Sequence, residues 1–217
     1  MPLYSFEGVS PTVHPDAWIA PTAVLIGDVV VEKDVSIWYG AVIRADLGRI
    51  TIREGSNIQD NAVLHVGMNG CEVRPNATVG HLCVVHDCFV GEQALIGNGS
   101  TVLDGAKIGD RSVVAAGATV TPGMVIPPDT VAMGSPAKKH VPVEGHAKLL
   151  IEHNAEIYRE LARRHAAGIP RCSPLPEAWS HVRGLRRAPQ LPRASACDFL
   201  AAASLRTIKH ARRLDNE

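Results

Sequence analysis

A six-residue repeat runs through most of residues 23–120 and limits what this chain can fold into. In each repeat, a small or β-branched residue is followed two places later by an aliphatic residue. The pairs are Ala23/Leu25, Val29/Val31, Val35/Ile37, Ala41/Ile43, Ile50/Ile52, Ser56/Ile58, Ala62/Leu64, Leu82/Val84, Cys88/Val90, Ala94/Ile96, Ser100/Val102, Ala106/Ile108, Ser112/Val114 and Ala118/Val120. Alternate residues of a strand point to one face, and a period of six means that short strands end and turn at regular intervals. A helix cannot produce this pattern, so the repeat predicts an all-β fold of short strands.

The residues between the pairs are typical of tight corners. Glycine stands there repeatedly, together with Asp and Asn, and these residues tolerate the backbone angles that a corner requires. Each inward aliphatic side chain then stacks on its counterpart one coil later, which gives a narrow core. Such a core needs few aromatic residues, and they make up only 4% of the sequence.

These repeats resemble the hexapeptide-repeat family over roughly residues 10–140. The resemblance implies a left-handed parallel β-helix with three hexapeptides, about 18 residues, in each triangular coil. Parallel strands usually connect in the right-handed sense, so the left hand is implied by the family and not by the period. The segment Met133-Gly134-Ser135-Pro136-Ala137-Lys138 is also similar to this family's exit from the coil. Residues 1–140 are therefore interpreted as a left-handed β-helix domain.

Beyond this domain the hydrophobic period changes. Apolar and amphipathic residues between positions 144 and 167 recur at intervals of three and four, which predicts an amphipathic α-helix. We interpret residues 141–169 as a C-terminal helix that packs on the outside of the β-helix. Residues 170–217 are rich in Arg, Ala and Pro, and we expect them to be a poorly ordered extension.

The charges of the chain are divided unevenly. Residues 1–170 contain 13 basic and 18 acidic side chains, whereas residues 171–217 contain 9 and 4. We interpret the basic excess as a solvated extension, because a charge run is more often a solvated surface than a nucleic-acid site. No apolar stretch approaches the roughly 18 to 20 residues that cross a bilayer, and residues 1–13 lack an export pattern. The five irregularly spaced cysteines fit a reducing compartment, so we expect a cytoplasmic protein without membrane or nucleic-acid partners.

Three histidines, His65, His81 and His86, dominate the functional prediction. His65 precedes His86 by 21 residues, which is one coil plus about three residues absorbed by a loop at 67–70, so these two should stack on adjacent coils. His81 is five residues from His86 and should lie on a neighbouring face. One chain therefore supplies two ligands for an ion. In a homotrimer, His81 of a neighbour would complete three equivalent interfacial sites, and three imidazoles plus a water match the ligands of a catalytic zinc.

The motifs around these histidines resemble those of the gamma-class carbonic anhydrases. They are Ile43-Arg44-Ala45-Asp46, Asn57-Ile58-Gln59-Asp60-Asn61, His65 and His81-Leu82-Cys83-Val84-Val85-His86, in the family's order and spacing. The resemblance implies ion pairs across the trimer interface by Arg44, Asp46 and Asp60. It implies that Gln59 holds the metal-bound water, that Asn57 supports it, and that Tyr158 closes the pocket.

The activity implied by this resemblance is reversible hydration of CO₂ to bicarbonate. A divalent ion on three imidazoles lowers the pKa of its bound water from 15.7 to about 7, so that hydroxide can attack CO₂ at neutral pH. We expect Zn²⁺, while Fe²⁺ and Co²⁺ suit the same ligands. Gln59 would direct the hydroxide by a hydrogen bond.

Two features depart from the best-known members of that class. Leu47 follows Asp46 at a position where those enzymes have a glutamate near the metal. The loop Gly67-Met68-Asn69-Gly70 is short and uncharged, where they have a longer acidic loop with a proton-shuttle glutamate. The resemblance therefore implies a metal site more directly than it implies rapid turnover.

Other functions remain open alongside CO₂ hydration. Phenylacetate-degradation thioesterases look nearly the same through the metal motifs, so the chain is also a candidate acyl-CoA thioesterase. Some relatives are labelled ferripyochelin-binding, which suggests a non-enzymatic metal- or siderophore-binding protein. Hexapeptide acyltransferases share the fold, but they use one catalytic histidine and lack the Arg-x-Asp and Gln-Asp-Asn motifs seen here.

Overall fold

A computed structural model describes residues 2–169 of the chain. Within this range the strands are β1 (Leu3–Tyr4), β2 (Thr12–Val13), β3 (Trp18–Ile19), β4 (Val24–Val31), β5 (Ser36–Ile37), β6 (Val42–Ile52), β7 (Asn57–Ile58), β8 (Val63–His65), β9 (Cys71–Val73), β10 (Thr78–Val79), β11 (Val84–His86), β12 (Phe89–Val90), β13 (Leu95–Ile96), β14 (Thr101–Val102), β15 (Lys107–Ile108), β16 (Val113–Val114), β17 (Thr119–Val120), β18 (Val125–Ile126), β19 (Thr130–Met133) and β20 (Lys139–Pro142). One helix, α1 (Gly145–Ala166), follows in this range. The expectations for residues 170–217 lie outside the described residues.

The strands form three rows, which are the three faces of a β-helix. The first face has the order β4-β6-β8-β11-β14-β17, the second has β4-β6-β9-β12-β15-β18, and the third has β3-β5-β7-β10-β13-β16-β19. The long strand β6 belongs to both of the first two faces because the chain turns within it. Neighbours along each row pair in parallel, and only the added strand β20 runs antiparallel to β19 within the described residues. The predicted parallel β-helix with a C-terminal helix is confirmed.

The core of the β-helix consists of aliphatic columns. On the first face, Leu25, Ile43, Leu64 and Val85 are paired in register on successive strands, and all are fully buried. Full burial of one such side chain stabilises the fold by about 1.5–3 kcal/mol. These columns hold the coils in register.

The phase of the predicted repeat is wrong at one place. The repeat predicts that Leu82 and Val84 point inward, but the structure buries Cys83 and Val85 and leaves Leu82 and Val84 65% and 40% exposed. Inward Val85 is followed by inward Val90 after five residues instead of six, because the corner between β11 and β12 is one residue short. Counting back six residues from Cys88 therefore reaches Leu82, which points outward, instead of Cys83, which points inward. Leu82 and Val84 belong to the outer surface.

The C-terminal helix α1 occupies the predicted region and packs on the third face, against β3, β5 and β7. Its buried residues are Ile151, Ala155 and Ala162. Arg163, Arg164 and His165 lie in its last turn, where positive charge is favourable. No helix in the described part of the chain combines the length and apolar character that a membrane crossing requires.

Gly27 should tolerate alanine less well than Gly99. Both have a positive φ, +78° and +68°, but a Cβ at Gly27 would overlap the Ala45 carbonyl oxygen, whereas a Cβ at Gly99 meets no atom within 4 Å. We expect Gly99→Ala to cost about 1–2 kcal/mol from the backbone angle alone, and Gly27→Ala to cost about 1–3 kcal/mol more from the overlap. Urea unfolding measures both values, and equal costs would show that the close approach does not matter.

Candidate metal centre

His65 and His86 lie next to each other on the outside of the first face. They end strands β8 and β11, which pair in parallel with these two histidines in register. Because Leu64 and Val85 point inward, the residue after each must point outward. The His65 Nδ1 atom lies 3.0 Å from the His86 Nε2 atom. The structure thus brings together the two histidines that the 21-residue spacing pairs.

The contact between the two rings shows what can occupy the space between them. Two nitrogen lone pairs repel each other, so a 3.0 Å contact requires a proton on one of the two nitrogens. A cation could replace that proton and accept both lone pairs, and imidazole nitrogens are common ligands of Zn²⁺. The pair therefore fits two of the ligands of a metal ion.

Asp46 joins this pair to Arg44. Its Oδ1 atom lies 2.9 Å from His65 Nε2, and its other oxygen accepts from the Arg44 guanidinium within the same chain. Burial tends to raise the pKa of Asp46, but the hydrogen bond with His65 and the charge of Arg44 outweigh burial and keep that pKa below its usual value. Asp46 is therefore a carboxylate at neutral pH. Pairing of Arg44, Asp46 and Asp60 across a subunit interface stays a prediction.

His81 lies at a different corner of the β-helix, after β10. Its Nδ1 atom is 2.9 Å from Asp60 Oδ2, and its Nε2 atom is 3.3 Å from the Tyr158 hydroxyl on α1. Within residues 2–169, no group of three or more His, Cys, Asp or Glu side chains is arranged to hold a metal ion. A single chain, over the described residues, therefore presents the three histidines as a pair and a separate third residue.

The amide of Gln59 is oriented by a buried row of hydrogen bonds. Gln59 Nε2 donates to Asn57 Oδ1 over 3.0 Å, and Asn57 Nδ2 donates to Thr78 Oγ1 over 2.9 Å. Asn154 of helix α1 donates to the same Thr78 oxygen over 2.9 Å. Since Asn57 accepts the Gln59 amide hydrogen, the Gln59 Oε1 atom is left to accept a hydrogen bond from another group. Through this row of hydrogen bonds, helix α1 helps to fix the orientation of Gln59.

Tyr158 is half-buried against Trp38, whose ring lies edge-on with its centre 5.3 Å away. Burial raises the pKa of Tyr158 to about 12, and the nearby Asp60 carboxylate adds to the shift. At neutral pH the phenol is therefore protonated, and it can share a hydrogen bond with His81.

The loop at 67–70 is held by Asp87, which is buried beside His86. Asp87 accepts hydrogen bonds from the backbone N–H groups of Gly67 and Asn69 and from the Asn69 side chain, at 3.0, 3.2 and 2.7 Å. Met68 at the tip is 90% exposed, and Leu47 on β6 is 66% exposed. The loop places an apolar side chain, and no carboxylate, at its tip.

The sequence analysis assigned no role in the site to three residues of this region: Thr78, Asn154 and Asp104. Asp104 Oδ1 lies 3.1 Å from His86 Nδ1. The coil after His86 has 17 residues, because Val84 pairs with Thr101 and Val85 with Val102, so Asp104 lies one residue beyond the position level with His86. A search for carboxylates about one coil from each histidine could have found it. Thr78 and Asn154 are joined by a contact between helix and strand, which no sequence period reports.

Comparisons with known proteins place this architecture in a family. A family profile described as bacterial transferase hexapeptide (six repeats) matches residues 87–122. The carnitine operon protein CaiE of a Proteus species is 39% identical over 182 residues, which are 82% of this chain and 92% of that protein. The chain belongs to the hexapeptide-repeat family.

Two further relatives are similar to the chain over most of its described part. Gamma carbonic anhydrase 2, a mitochondrial protein of Arabidopsis thaliana, is 39% identical over 73% of this chain and 59% of its own length. The crystal structure of a hexapeptide transferase family protein from Anaplasma phagocytophilum has a TM-score of 0.73 and 38% identity, covering 76% of this chain and 98% of that one. Relatives of similar identity thus have names that refer to different chemistry.

The raised pKa of Tyr158 predicts a pH dependence of stability. Because the folded protein holds the phenol proton more tightly than the unfolded chain, whose tyrosine pKa is 10.0, the free energy of unfolding should fall as pH rises from 10.0 towards about 12. Tyr158→Phe should reduce this fall, as measured by urea unfolding at several pH values. Tyr4→Phe, which removes an exposed phenol, is the control, and an equal effect of both variants would contradict the assignment.

Proposed function

We propose that this protein is a homotrimeric, metal-dependent enzyme that hydrates CO₂ reversibly to bicarbonate. His65 and His86 of one subunit and His81 of a neighbouring subunit would hold a Zn²⁺ ion. The observation that supports this proposal most directly is the 3.0 Å contact between His65 Nδ1 and His86 Nε2, with His81 at a separate corner. Among the described residues of one chain, the His65–His86 pair therefore lacks a third histidine ligand, and His81 lies apart from that pair. An interface between two copies of the chain could bring His81 of one copy to the pair of the other.

The surface next to the histidines is suited to such an interface. Val63 and Val84 lie in register on the first face, and both are exposed, as is Leu82 at the adjoining corner. Exposed apolar residues that lie together favour a protein contact. A three-fold ring would bury this surface, bring His81 of one subunit to His65 and His86 of the next, and leave no open end.

The side chains of the site would have distinct roles in the hydration reaction. Bound to three neutral imidazoles, a divalent ion supplies Lewis acidity that lowers the pKa of water to about 7. Gln59 Oε1 is available to accept a hydrogen bond and so to fix the direction of the attacking oxygen, because the Gln59 amide nitrogen is oriented by donating to Asn57 Oδ1. Asp46 orients His65, and Asp60 orients His81. Tyr158, protonated at neutral pH, contacts His81 Nε2 in the metal-free chain and would release that nitrogen to the ion, because Asp60 holds Nδ1.

An acyl-CoA thioesterase is the second candidate, and one observation favours it. Leu47 stands where a carbonic anhydrase of the best-known type has a glutamate near the metal. The loop that carries Met68 is short and uncharged where such an enzyme has a longer acidic loop, and both side chains are exposed. An apolar approach suits an acyl chain better than it suits proton transfer to water. The same metal ligands could serve the attack of water on a thioester carbonyl.

Parallel assays on one preparation separate the two candidates. Stopped-flow CO₂ hydration and phenylacetyl-CoA hydrolysis should both be measured on anaerobically purified protein of known metal content. We expect hydration to increase in proportion to bound metal and to disappear after chelation. If the fully metal-loaded protein did not hydrate CO₂, the proposal would be refuted. Thioester hydrolysis by that protein would then support the second candidate, and the absence of activity in both assays would support a binding protein.

His81→Ala should remove the metal without unfolding the chain. The His81 side chain is partly exposed and outside the aliphatic core, so we expect normal thermal unfolding but a fall in bound metal from about one ion per subunit to near zero. Metal analysis and circular dichroism measure the two effects, and His153→Ala on the exposed side of α1 is the matched control.

Mixing two inactive variants tests whether the site is shared between subunits. When His81→Ala and His86→Ala chains are unfolded and refolded together in equal amounts, random trimers should recover about a quarter of the metal sites, because only some interfaces combine two intact contributions. Full metal retention in His81→Ala alone, or no recovery in the mixture, would argue against an interfacial site.

A further inference from the structure

We propose that Asp104 is a positioning residue that fixes the ring of His86 for metal binding. This inference deepens the proposed metal site and rests on it. Asp104 lies at the corner after β14, one coil beyond His86, and its Oδ1 atom is 3.1 Å from His86 Nδ1. Neither the motifs of the sequence nor their resemblance to a family assigns this residue a role.

Asp104 is the carboxylate next to His86 Nδ1, a nitrogen that lacks a hydrogen-bond partner among the described residues. This nitrogen is shielded from solvent, and it forms no hydrogen bond of good geometry with any group in residues 2–169. The Asp104 carboxylate is within contact distance but out of line for a hydrogen bond in the metal-free chain. A small rotation of the ring or of the carboxylate would align the two groups. A buried polar nitrogen without a partner is costly, so this rotation has a driving force once Nδ1 carries a proton.

Metal binding would place a proton on that nitrogen. In the metal-free chain, His65 Nδ1 and His86 Nε2 share one proton across 3.0 Å. An ion between them needs a lone pair from each, so the proton of neutral His86 must then be on Nδ1, where Asp104 is the acceptor within reach. Asp104 would therefore select the tautomer of His86 that can bind a metal through Nε2.

The other two histidines show the same arrangement. His65 Nε2 lies 2.9 Å from Asp46 Oδ1, and His81 Nδ1 lies 2.9 Å from Asp60 Oδ2. In each case the carboxylate comes from an adjacent coil and contacts the ring nitrogen opposite to the one that would bind the ion. In the metal-free chain, His81 Nε2 contacts the Tyr158 hydroxyl, which would have to release it. Carboxylates that accept a hydrogen bond from a metal-binding histidine orient the ring and increase its basicity. Asp104 gives His86 the partner that the other two histidines already have.

The simplest competing role for Asp104 is to form a turn before Gly105, whose φ is +68°. Asparagine forms such turns as well as aspartate does. Asp104→Asn therefore keeps the turn and a weak acceptor but removes the charge, whereas Asp104→Ala removes the acceptor altogether. A turn-forming role predicts that the asparagine variant behaves like the natural protein. A positioning role predicts a graded loss of metal affinity.

The test is the Zn²⁺ dissociation constant of the full-length trimer, measured at one fixed pH by competition with a chromophoric chelator. We expect Asp104→Ala to weaken Zn²⁺ binding by about 10–100-fold and Asp104→Asn to lie between it and the natural protein. Asp129→Asn is the control, because it removes the same charge from an exposed carboxylate that pairs with Arg111 and contacts none of the three histidines. Urea unfolding of the metal-free variants shows whether the fold itself has changed.

The outcomes separate this inference from the proposed function. Unchanged affinity in both Asp104 variants, or a loss of affinity matched by a loss of stability in the metal-free state, would overturn the positioning role. A graded loss of affinity with unchanged stability would support it, even if the natural protein failed to hydrate CO₂. In the zinc-loaded protein, a His86 Nδ1–H resonance in the proton NMR spectrum that moves on Asp104→Asn would provide a spectroscopic sign of the same contact.

Discussion

The stacking of inward aliphatic side chains along the β-helix determines where every outward side chain lies. Leu64 and Val85 are held one above the other in the core, so the residues that follow them, His65 and His86, must emerge side by side. Burial supplies the energy for this register, and backbone hydrogen bonds between parallel strands make it specific. The candidate site therefore depends on packing that none of its own side chains provides.

The site itself is arranged as histidines with carboxylate partners on adjacent coils. Asp46 is shared between Arg44 and His65, which keeps its pKa low and its charge in place. His81 lies between Asp60, which contacts its Nδ1 atom, and the helix residue Tyr158, which contacts its Nε2 atom, so the third histidine is joined to α1. This pattern is a physical consequence of the solenoid, because each coil places its corners directly above those of the previous coil.

Much of this arrangement could be predicted from the sequence, and the failures have identifiable causes. The six-residue period predicted the coils, and the 21-residue spacing correctly predicted that His65 and His86 stack. The period lost its phase at Leu82 because the corner at His86–Cys88 is one residue short. The hydrogen bond between Asn154 and Thr78 depends on side-chain rotamers and on how the helix packs, and the repeat does not determine either.

Irregular corners also affect how this fold can change during evolution. The loop at 67–70 and the short corner at His86–Cys88 alter the length of a coil without disturbing the columns on either side, because each later strand is aligned by its own buried aliphatic residue. Both irregularities lie beside His65 and His86. Insertions and deletions at these corners can therefore reshape access to the site while the scaffold stays intact, so that relatives with one solenoid can diverge in chemistry through loop length alone.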